Sequence, residues 1–200
     1  MDYGHSERSS GTAALPTAIK ILVAGGFGVG KTTLVGAISE TKPLRTEEVL
    51  TESGVGIDDL SGVEAKQTTT VAMDFGRITI SDDLVLYLFG TPGQDRFWFV
   101  WDELALGAIG AVVLADTRRL ADCFPSIDYF EGRGTPFLVA VNCFEGARQY
   151  RLDEVQSALN LDPEVPVLLC DARQRESVKE ALITLVEHAL KLRESRRTAE

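Results

Sequence analysis

Residues 19–39 have the sequence IKILVAGGFGVGKTTLVGAIS, and the order of residue types along this stretch decides the fold. Ile19–Ala24 is an apolar, β-branched run, which predicts a buried strand that stops at glycines. Residues 25–32 then match the pattern G-x-x-x-x-G-K-[ST], and a helix is expected from Thr32 to about Ser39. A strand, a glycine-rich loop and a helix in this order predict a loop that binds the phosphate groups of a nucleotide.

The residues of this loop have distinct expected tasks. Glycines let backbone N–H groups turn inward, and the start of the helix adds a positive dipole end. Lys31 is expected to bridge the β- and γ-phosphates, the Thr32 hydroxyl to ligate Mg²⁺, and the Thr33 N–H to reach the α-phosphate. A glycine-rich turn with a chance lysine is the alternative, and eight matching positions in the right context argue against it. The predicted phosphate-binding residues are Gly25, Gly26, Phe27, Gly28, Val29, Gly30, Lys31, Thr32 and Thr33.

Beyond the loop, strand-like and helix-like segments alternate, which is typical of an α/β sheet with crossover helices. The turn Ser81-Asp82-Asp83 is too short for a parallel crossover, so the strands on either side of it should form an antiparallel hairpin. The expected fold class is a three-layer α/β P-loop fold with about six strands, mostly parallel with one antiparallel strand. Further strands are predicted at 69–80, 84–89, 108–115, 137–141 and 165–170, and further helices at 120–131, 152–159 and 176–193.

One domain is expected from a chain of this length. Residues 1–17 are polar and rich in Ser and Gly, which indicates a disordered tail. The domain itself should span 18–193, followed by a C-terminal tail over 194–200. The stretch 41–67 has no clear period, and we interpret it as a long loop, which in a compact domain is usually functional or disordered.

The composition excludes several classes of function. A formal net charge of −10 argues against tracking of a nucleic-acid backbone, which needs clustered Lys and Arg. The chain holds no apolar run near the roughly 20 residues of a membrane-spanning helix. Three cysteines form an odd set without metal-site spacing, which favours a reduced, cytoplasmic protein.

Two further segments resemble the switch regions of the Ras-like small GTPases, and the resemblance covers about residues 18–193. Residues 70–75, TVAMDF, resemble the T-x-G-x-D-F strand of that family, and residues 90–97, GTPGQDRF, resemble D-T-A-G-Q-E-R-F. The resemblance implies that Thr70 senses Mg²⁺ and the γ-phosphate, with Thr68 and Thr69 close enough to compete. It also implies that the Gly93 N–H contacts the γ-phosphate and that Gln94 orients the attacking water. The implied catalytic residues are Gln94, Thr70 and Lys31, and the implied metal ligands are Thr32 and Thr70.

The second switch departs from the family pattern at its first residue. Gly90 stands where the family has an acidic residue that holds a Mg²⁺-bound water. The loss of such an outer-shell partner typically weakens a metal site by about 10- to 100-fold. We therefore expect weaker Mg²⁺ binding than in the average member, unless a carboxylate such as Asp58, Asp59 or Asp74 takes its place.

Guanine is recognised in the Ras-like family by an N-K-x-D motif. Here the strand FLVAV continues into Asn142-Cys143-Phe144-Glu145, in which Cys143 replaces the lysine and Glu145 the aspartate. A glutamate offers the same two oxygens about one bond further out, so guanine should be favoured over adenine. An ordinary turn at a strand end is the alternative. The segment Asp171-Ala172-Arg173 resembles the S-A-K/L element, in which the Ala172 N–H would contact the guanine carbonyl oxygen.

The glycine at position 90 and the N-x-F-[DE] motif resemble a bacterial subgroup, the conservon-type GTP-binding proteins of actinobacteria, relatives of the gliding-polarity GTPase MglA. This resemblance implies a roadblock/LC7-domain partner and a membrane sensor-kinase-like complex, which would recruit the protein to the membrane. Residues 97–101, FWFVW, contain both tryptophans and predict either core packing or a partner surface, with Trp98 or Trp101 exposed in one nucleotide state.

Three functions are consistent with these residues. The first is a switch that binds GTP or GDP with Mg²⁺ and hydrolyses GTP slowly, with Arg45 in the long loop as a candidate arginine finger. The second is a nucleotide-binding scaffold with little hydrolysis, for which the glycine at position 90 would indicate that catalytic activity has been lost. The third is an ATP-dependent kinase or ATPase, which would leave Gln94 and Asn142 unexplained.

Overall fold

The computed structural model describes residues 15–42, 44–51, 68–93 and 98–199. Within these residues the strands and helices alternate around one seven-stranded sheet. The strands are β1 (Thr17–Ala24), β2 (Leu44–Thr51), β3 (Thr68–Ser81), β4 (Leu84–Gly90), β5 (Ala108–Ala115), β6 (Phe137–Asn142) and β7 (Val167–Cys170). The α-helices are α1 (Lys31–Ile38), α2 (Trp98–Ala105), α3 (Phe124–Arg133), α4 (Leu152–Ala158) and α5 (Arg175–Ala199), and a 3₁₀ turn at Leu120–Cys123 leads into α3.

The strand order across the sheet is β2-β3-β4-β1-β5-β6-β7. Strands β4, β1, β5, β6 and β7 run parallel to their neighbours in that set, whereas β3 is antiparallel to both β2 and β4. The expected α/β fold with one antiparallel strand is therefore confirmed, as is the hairpin through Ser81–Asp83. Parallel strands leave their carboxyl ends at one edge of the sheet, where ligands of this fold class bind.

The seventh strand comes from the stretch that we had interpreted as a loop. Strand β2 pairs with β3 along its whole length, from Leu44 opposite Phe75 to Thr51 opposite Thr68. The sequence LRTEEVLT shows no strand period, and an edge strand of this kind is held by main-chain pairing with its neighbour. Arg45 accordingly lies within a strand, which corrects its predicted position in a loop.

The core lies in two layers, one on each face of the sheet, because the central strands are covered on both sides. In β1, Ile21 and Val23 pack among residues of α1 and α5, whereas Leu22 and Ala24 pack among residues of α2, α3 and α4. All four side chains are fully buried. Each buried Val, Leu or Ile contributes about 1.5–3 kcal/mol, so β1 is firmly anchored directly before the phosphate loop.

The ends of two elements differ from the sequence-based expectation. Strand β7 begins at Val167 rather than at 165, because Pro166 lacks an N–H, and it lies at the edge of the sheet. Helix α5 continues to Ala199, through most of the segment interpreted as a tail, and Arg196 ties it to the Gly134 carbonyl at 3.0 Å. Among the described helices, none is both long and apolar enough to cross a membrane.

Candidate nucleotide-binding site

The glycine-rich loop joins the carboxyl end of β1 to the first residue of α1. The dihedral angle φ is +110° at Gly30, a left-handed conformation that strongly favours glycine. A Cβ at Gly30 would lie 2.6 Å from the Asn142 side-chain nitrogen, so close approach also requires glycine there. The N-cap residue Gly30 has no side chain that could cap α1, and the first turn of the helix holds no acidic residue. The first amides of α1 are thus left for an anion.

Lys31 lies across the mouth of this loop. Its Nζ donates to the Gly25 carbonyl at 2.7 Å and to the Gly26 carbonyl at 2.8 Å. Burial lowers the pKa of Lys31 to about 8, and the negative charge of Asp74 partly opposes this shift. Gly93 lies beside the Lys31 ammonium, since a Cβ on Gly93 would be 2.7 Å from Lys31 Nζ. The predicted contact pair for the terminal phosphate, Lys31 and Gly93, is therefore brought together by the fold.

Asn142 joins the phosphate loop to the region predicted to recognise the base. Its Nδ2 donates to the Val29 carbonyl at 2.9 Å, and its Oδ1 accepts the Ala172 N–H at 3.2 Å. Both contacts are buried, and the side chain of Asn142 is 7% exposed. The Ala172 N–H, which was expected to face a guanine carbonyl oxygen, is therefore engaged by Asn142 in this structure.

A cavity of about 160 Å³ opens beside Asn142 at the carboxyl ends of β6 and β7. Within it Glu145 is exposed, so its carboxylate is open to a ligand. Phe144 is covered on one face by the Arg118 guanidinium, 4.0 Å from the ring centroid. The lining residues are Gly28, Gly30, Thr33, Asn142, Cys143, Phe144, Glu145, Ala172 and Arg173, most of which were predicted to bind the nucleotide.

Asp171 and Arg173, also predicted to bind the nucleotide, form an ion pair with each other. Arg173 Nε donates to Asp171 Oδ1 at 2.9 Å, and Nη2 donates to Oδ2 at 2.9 Å. Hydrogen bonds from Arg173 and Gln174 hold the pKa of the Asp171 carboxyl well below its usual range. Arg173 lines the cavity. The Asp171 carboxylate accepts the Arg173 backbone N–H and so stabilises the loop that contains Ala172.

Asp74 occupies the position that Gly90 leaves open. Gly90 is the register partner of Asp74 in the β3–β4 hairpin, and a Cβ at Gly90 would lie 3.0 Å from the Asp74 Cβ. The Thr32 hydroxyl donates to Asp74 Oδ2 at 2.6 Å. The Asp74 carboxylate, which lies on the strand next to Gly90, therefore contacts Thr32, the expected Mg²⁺ ligand. Asp74 is one of the three carboxylates that the sequence analysis named as a replacement for the acidic residue missing at position 90. Asp58 and Asp59, the other two candidates, lie outside the described residues.

The donor atoms at this point fit magnesium. A threonine hydroxyl beside a carboxylate offers hard oxygen ligands, which Mg²⁺ prefers over nitrogen or sulfur. The described residues hold no group of three or more His, Cys, Asp or Glu side chains that could hold a metal by themselves. Mg²⁺ is usually bound through one or two carboxylates together with waters and substrate phosphates. When bound, the ion would neutralise charge on the phosphates.

The structure says less about two of the predicted catalytic residues, Thr70 and Gln94. Thr70 lies in β3 opposite Val49, and its expected role in sensing the γ-phosphate stays a prediction. Gln94 lies outside the described residues.

The sequence analysis did not name residues 116–119, which directly follow β5, as part of the site. Polar residues after a buried parallel strand could have indicated them, because ligands bind at the carboxyl ends of such strands. Asp116 is only 3% exposed and is held by Arg118 at 2.7 Å, which lowers the pKa of the Asp116 carboxyl.

Trp101 belongs to the core in this structure. Its side chain is 3% exposed and packs against Tyr129 and Phe130, with ring centroids 5.1 and 5.8 Å away. The indole Nε1 also donates to the Pro92 carbonyl at 3.3 Å. Pro92 directly precedes Gly93, so Trp101 ties the segment at Pro92–Gly93 to α2.

We expect the emission of Trp101 to report the nucleotide state. Trp98→Phe leaves Trp101 as the single tryptophan, and exchange of GDP for a non-hydrolysable GTP analogue should change its emission, because the Pro92 contact lies next to Gly93. Acrylamide should quench it poorly in both states, since the indole is buried. Trp101→Phe, with Trp98 alone, is the matched control. Identical spectra in both nucleotide states would contradict the coupling.

Residues 23–192 match a protein family described as conserved hypothetical ATP binding protein. The chain belongs to this family. A curated relative, an uncharacterized protein of Methanocaldococcus jannaschii, is 35% identical over 101 residues, which are 50% of this chain and 53% of the relative. The chain thus spans about half the length of the curated relative that it matches.

Solved structures with the same fold include cytosolic and G domains of FeoB proteins. The cytosolic domain of the T. maritima FeoB iron transporter, in a GDP form, matches with a TM-score of 0.59 and 20% identity over 88% of this chain and 65% of that chain. The FeoB G-domain from Methanococcus jannaschii matches with a TM-score of 0.54 and 18% identity over 87% of this chain and 98% of that chain. At this identity the likeness establishes the fold, and it confirms the predicted α/β P-loop architecture.

Proposed function

We propose that the protein is a GTP-binding molecular switch that hydrolyses GTP slowly to GDP and phosphate. The observation that carries this proposal is the position of Asn142. One buried side chain bonds both the phosphate loop, at Val29, and the loop at the base cavity, at Ala172. A polyphosphate and a planar base attached to it would thus lie on two sides of a single rigid connection, which is the arrangement that a nucleotide requires.

The choice of guanine over adenine depends on Glu145. Guanine presents an N1–H and an exocyclic NH₂ on one edge, and a carboxylate accepts both, whereas adenine presents an unprotonated N1 there. A site built for hydrogen bonds rejects an analogue that lacks them, because its polar groups are left unpaired. The exposed Glu145 at the cavity supports GTP, while the family's description as ATP binding makes ATP the competitor to be tested.

One experiment separates the candidate functions. Nucleotide-free protein is incubated with GTP or with ATP in the presence of Mg²⁺, and bound and free nucleotides are then chromatographed. Production of GDP supports the proposal. Bound but unchanged GTP indicates a nucleotide-binding scaffold, and consumption of ATP indicates an ATP-dependent enzyme. Either of the last two results would overturn the proposed hydrolysis of GTP.

Glu145→Gln should reduce the preference for GTP over ATP. Hydrogen bonds to a charged group contribute about 1.5–3 kcal/mol, so we expect GDP affinity to fall by about 10- to 100-fold. ADP affinity should change little, because adenine offers no donor at N1. Isothermal titration calorimetry with both diphosphates measures the effect. Glu131→Gln, which alters an exposed carboxylate on α3, is the control. An equal loss for GDP and ADP would contradict the role in base choice.

The signalling role is part of the proposal. Loading with a γ-phosphate would change the conformation of the switch segments at Thr70 and Gly93–Gln94, and a protein partner would recognise that state. The resemblance to conservon-type proteins supports a roadblock/LC7-domain partner and recruitment of a cytoplasmic protein to a membrane sensor-kinase-like complex. Hydrolysis measured with and without such a partner tests this step, since a switch partner should change the rate.

A further inference from the structure

Arg119 contacts the phosphate loop from the segment that follows β5. Its Nη2 donates to the Phe27 carbonyl at 3.0 Å. The same nitrogen would lie 3.7 Å from a Cβ placed on Gly28, so the guanidinium lies over two consecutive residues of the loop. The backbone on either side is fixed by turns, in which the Arg119 N–H donates to the Asp116 carbonyl and the Arg119 carbonyl accepts from Asp122.

The guanidinium is held loosely although its backbone is fixed. Its shortest approach to Asp116 is 4.0 Å and to Asp122 is 3.6 Å. Asp116 is already paired with Arg118 at 2.7 Å, so it does not require Arg119 as a partner. The side chain of Arg119 is also 50% exposed. A hydrogen bond to a neutral carbonyl and two long ion pairs are contacts that can be exchanged for a stronger one.

A nucleotide phosphate would provide that stronger contact. Lys31 is the only basic residue of the loop itself, whereas a triphosphate carries several negative charges. Hydrogen bonds between a guanidinium and a phosphate are roughly twice as strong as those between neutral groups, and the fork of donors matches phosphate oxygens. Arg119 is therefore expected to leave the Phe27 carbonyl for oxygens of the γ-phosphoryl group as negative charge develops there during the reaction.

We propose that Arg119 acts as an arginine finger supplied by the chain itself, by stabilising the charge that develops on the phosphates during GTP hydrolysis. This inference rests on the proposed function. In the reaction, the oxygen of water bonds to the γ-phosphorus and the bond from that phosphorus to the β–γ bridging oxygen breaks. The electron pair stays on GDP, and the proton lost by water leaves with phosphate or solvent. Arg119 transfers no proton, since its side chain remains charged.

Two other arginines, Arg118 and Arg45, lie near the site. Arg118 is bound to Asp116 through two nitrogens and covers the ring of Phe144, on the base side of the cavity. The backbone of Arg45, the candidate that the sequence offered, lies within β2 and is paired with β3 at Asp74, and its side chain lies outside the part of the chain that the structure describes. Arg119 contacts the phosphate loop through the Phe27 carbonyl.

The test compares single-turnover hydrolysis of preloaded GTP by the wild type, Arg119→Ala and Arg119→Lys. We expect both variants to lose at least about tenfold in rate, because lysine lacks the fork. GDP affinity should change less than about threefold, since the group acts on charge that develops in the transition state. The gain in GDP affinity on addition of aluminium fluoride, which mimics the transferred phosphoryl group, should be lost in both variants.

Arg196→Ala is the matched control, since Arg196 also donates to a backbone carbonyl at 3.0 Å, far along the chain at Gly134. It should hydrolyse GTP at the wild-type rate. A wild-type rate in Arg119→Ala would overturn the inference alone, and so would a fall in GDP affinity that matches the fall in rate, which indicates a purely structural clamp. Wild-type protein that binds GTP without hydrolysing it would overturn both the proposed function and this inference.

Discussion

Lys31→Met is expected to weaken the binding of GDP and GTP by about 30- to 4,000-fold, because loss of one partner from a buried, hydrogen-bonded charge pair costs about 2–5 kcal/mol. The substitution keeps most of the length of the side chain and removes its charge. Within the part of the chain that the structure describes, the Lys31 ammonium bonds two neutral carbonyls, those of Gly25 and Gly26, at 2.7 and 2.8 Å. A phosphate would replace them with a charge-assisted partner.

The binding is measured by calorimetry on nucleotide-free protein, with circular dichroism to establish that the variant is folded. Lys191→Met, which changes an exposed lysine on α5, is the control and should bind as the wild type does. An affinity of Lys31→Met within threefold of the wild type would contradict the assigned role.

A pH series provides an independent check of the same group. Burial lowers the pKa of Lys31 to about 8, and bound phosphates favour the protonated form. Binding above pH 8 must therefore take up a proton, so affinity should fall as pH rises, by about tenfold between pH 7 and 9. Lys31→Met should lack this part of the pH dependence. Parallel curves for both proteins would assign the titration to another group.

Asp74→Asn should raise the Mg²⁺ concentration needed to slow nucleotide release by about 10- to 100-fold, which is the typical effect of losing an outer-shell partner. The asparagine has nearly the same shape, so β3 should pair with β4 as before, while the negative charge beside Thr32 is removed. The dissociation rate of a fluorescent GDP analogue, followed over a magnesium titration, measures the change. Asp128→Asn, an exposed position on α3, is the control.

A double exchange distinguishes the position of the carboxylate from its mere presence. Because Asp74 and Gly90 are register partners, the variant Asp74→Gly with Gly90→Asp moves the carboxylate to the adjacent strand without crowding. We expect it to recover most of the magnesium sensitivity that Asp74→Asn loses. A magnesium titration of Asp74→Asn that matches the wild type would show that the carboxylate does not assist the ion.

Much of the fold follows from local pattern. The apolar runs that became β5 and β6 are continuous because these strands are buried on both faces, and such runs are visible in a single sequence. Strand β2 was missed because an edge strand draws its stability from main-chain bonds to β3, and those bonds leave no hydrophobic period in LRTEEVLT. The sequence analysis did not name Arg119 and Arg118, the two arginines after β5, as part of the site. Their contacts are made with Phe27 and Phe144, which are distant in the sequence.

The sequence by itself determined the phosphate loop, since backbone turns and a helix start depend on residues adjacent in the chain. It also determined that position 90 lacks a carboxylate. Only the tertiary structure decided which group supplies a carboxylate beside position 90. Thr32 and Asp74 are 42 positions apart in the sequence, and the pairing of β3 with β4 and of β4 with β1 brings them together. Strand register is set by the whole sheet, and it brings the Asp74 carboxylate to the Thr32 hydroxyl.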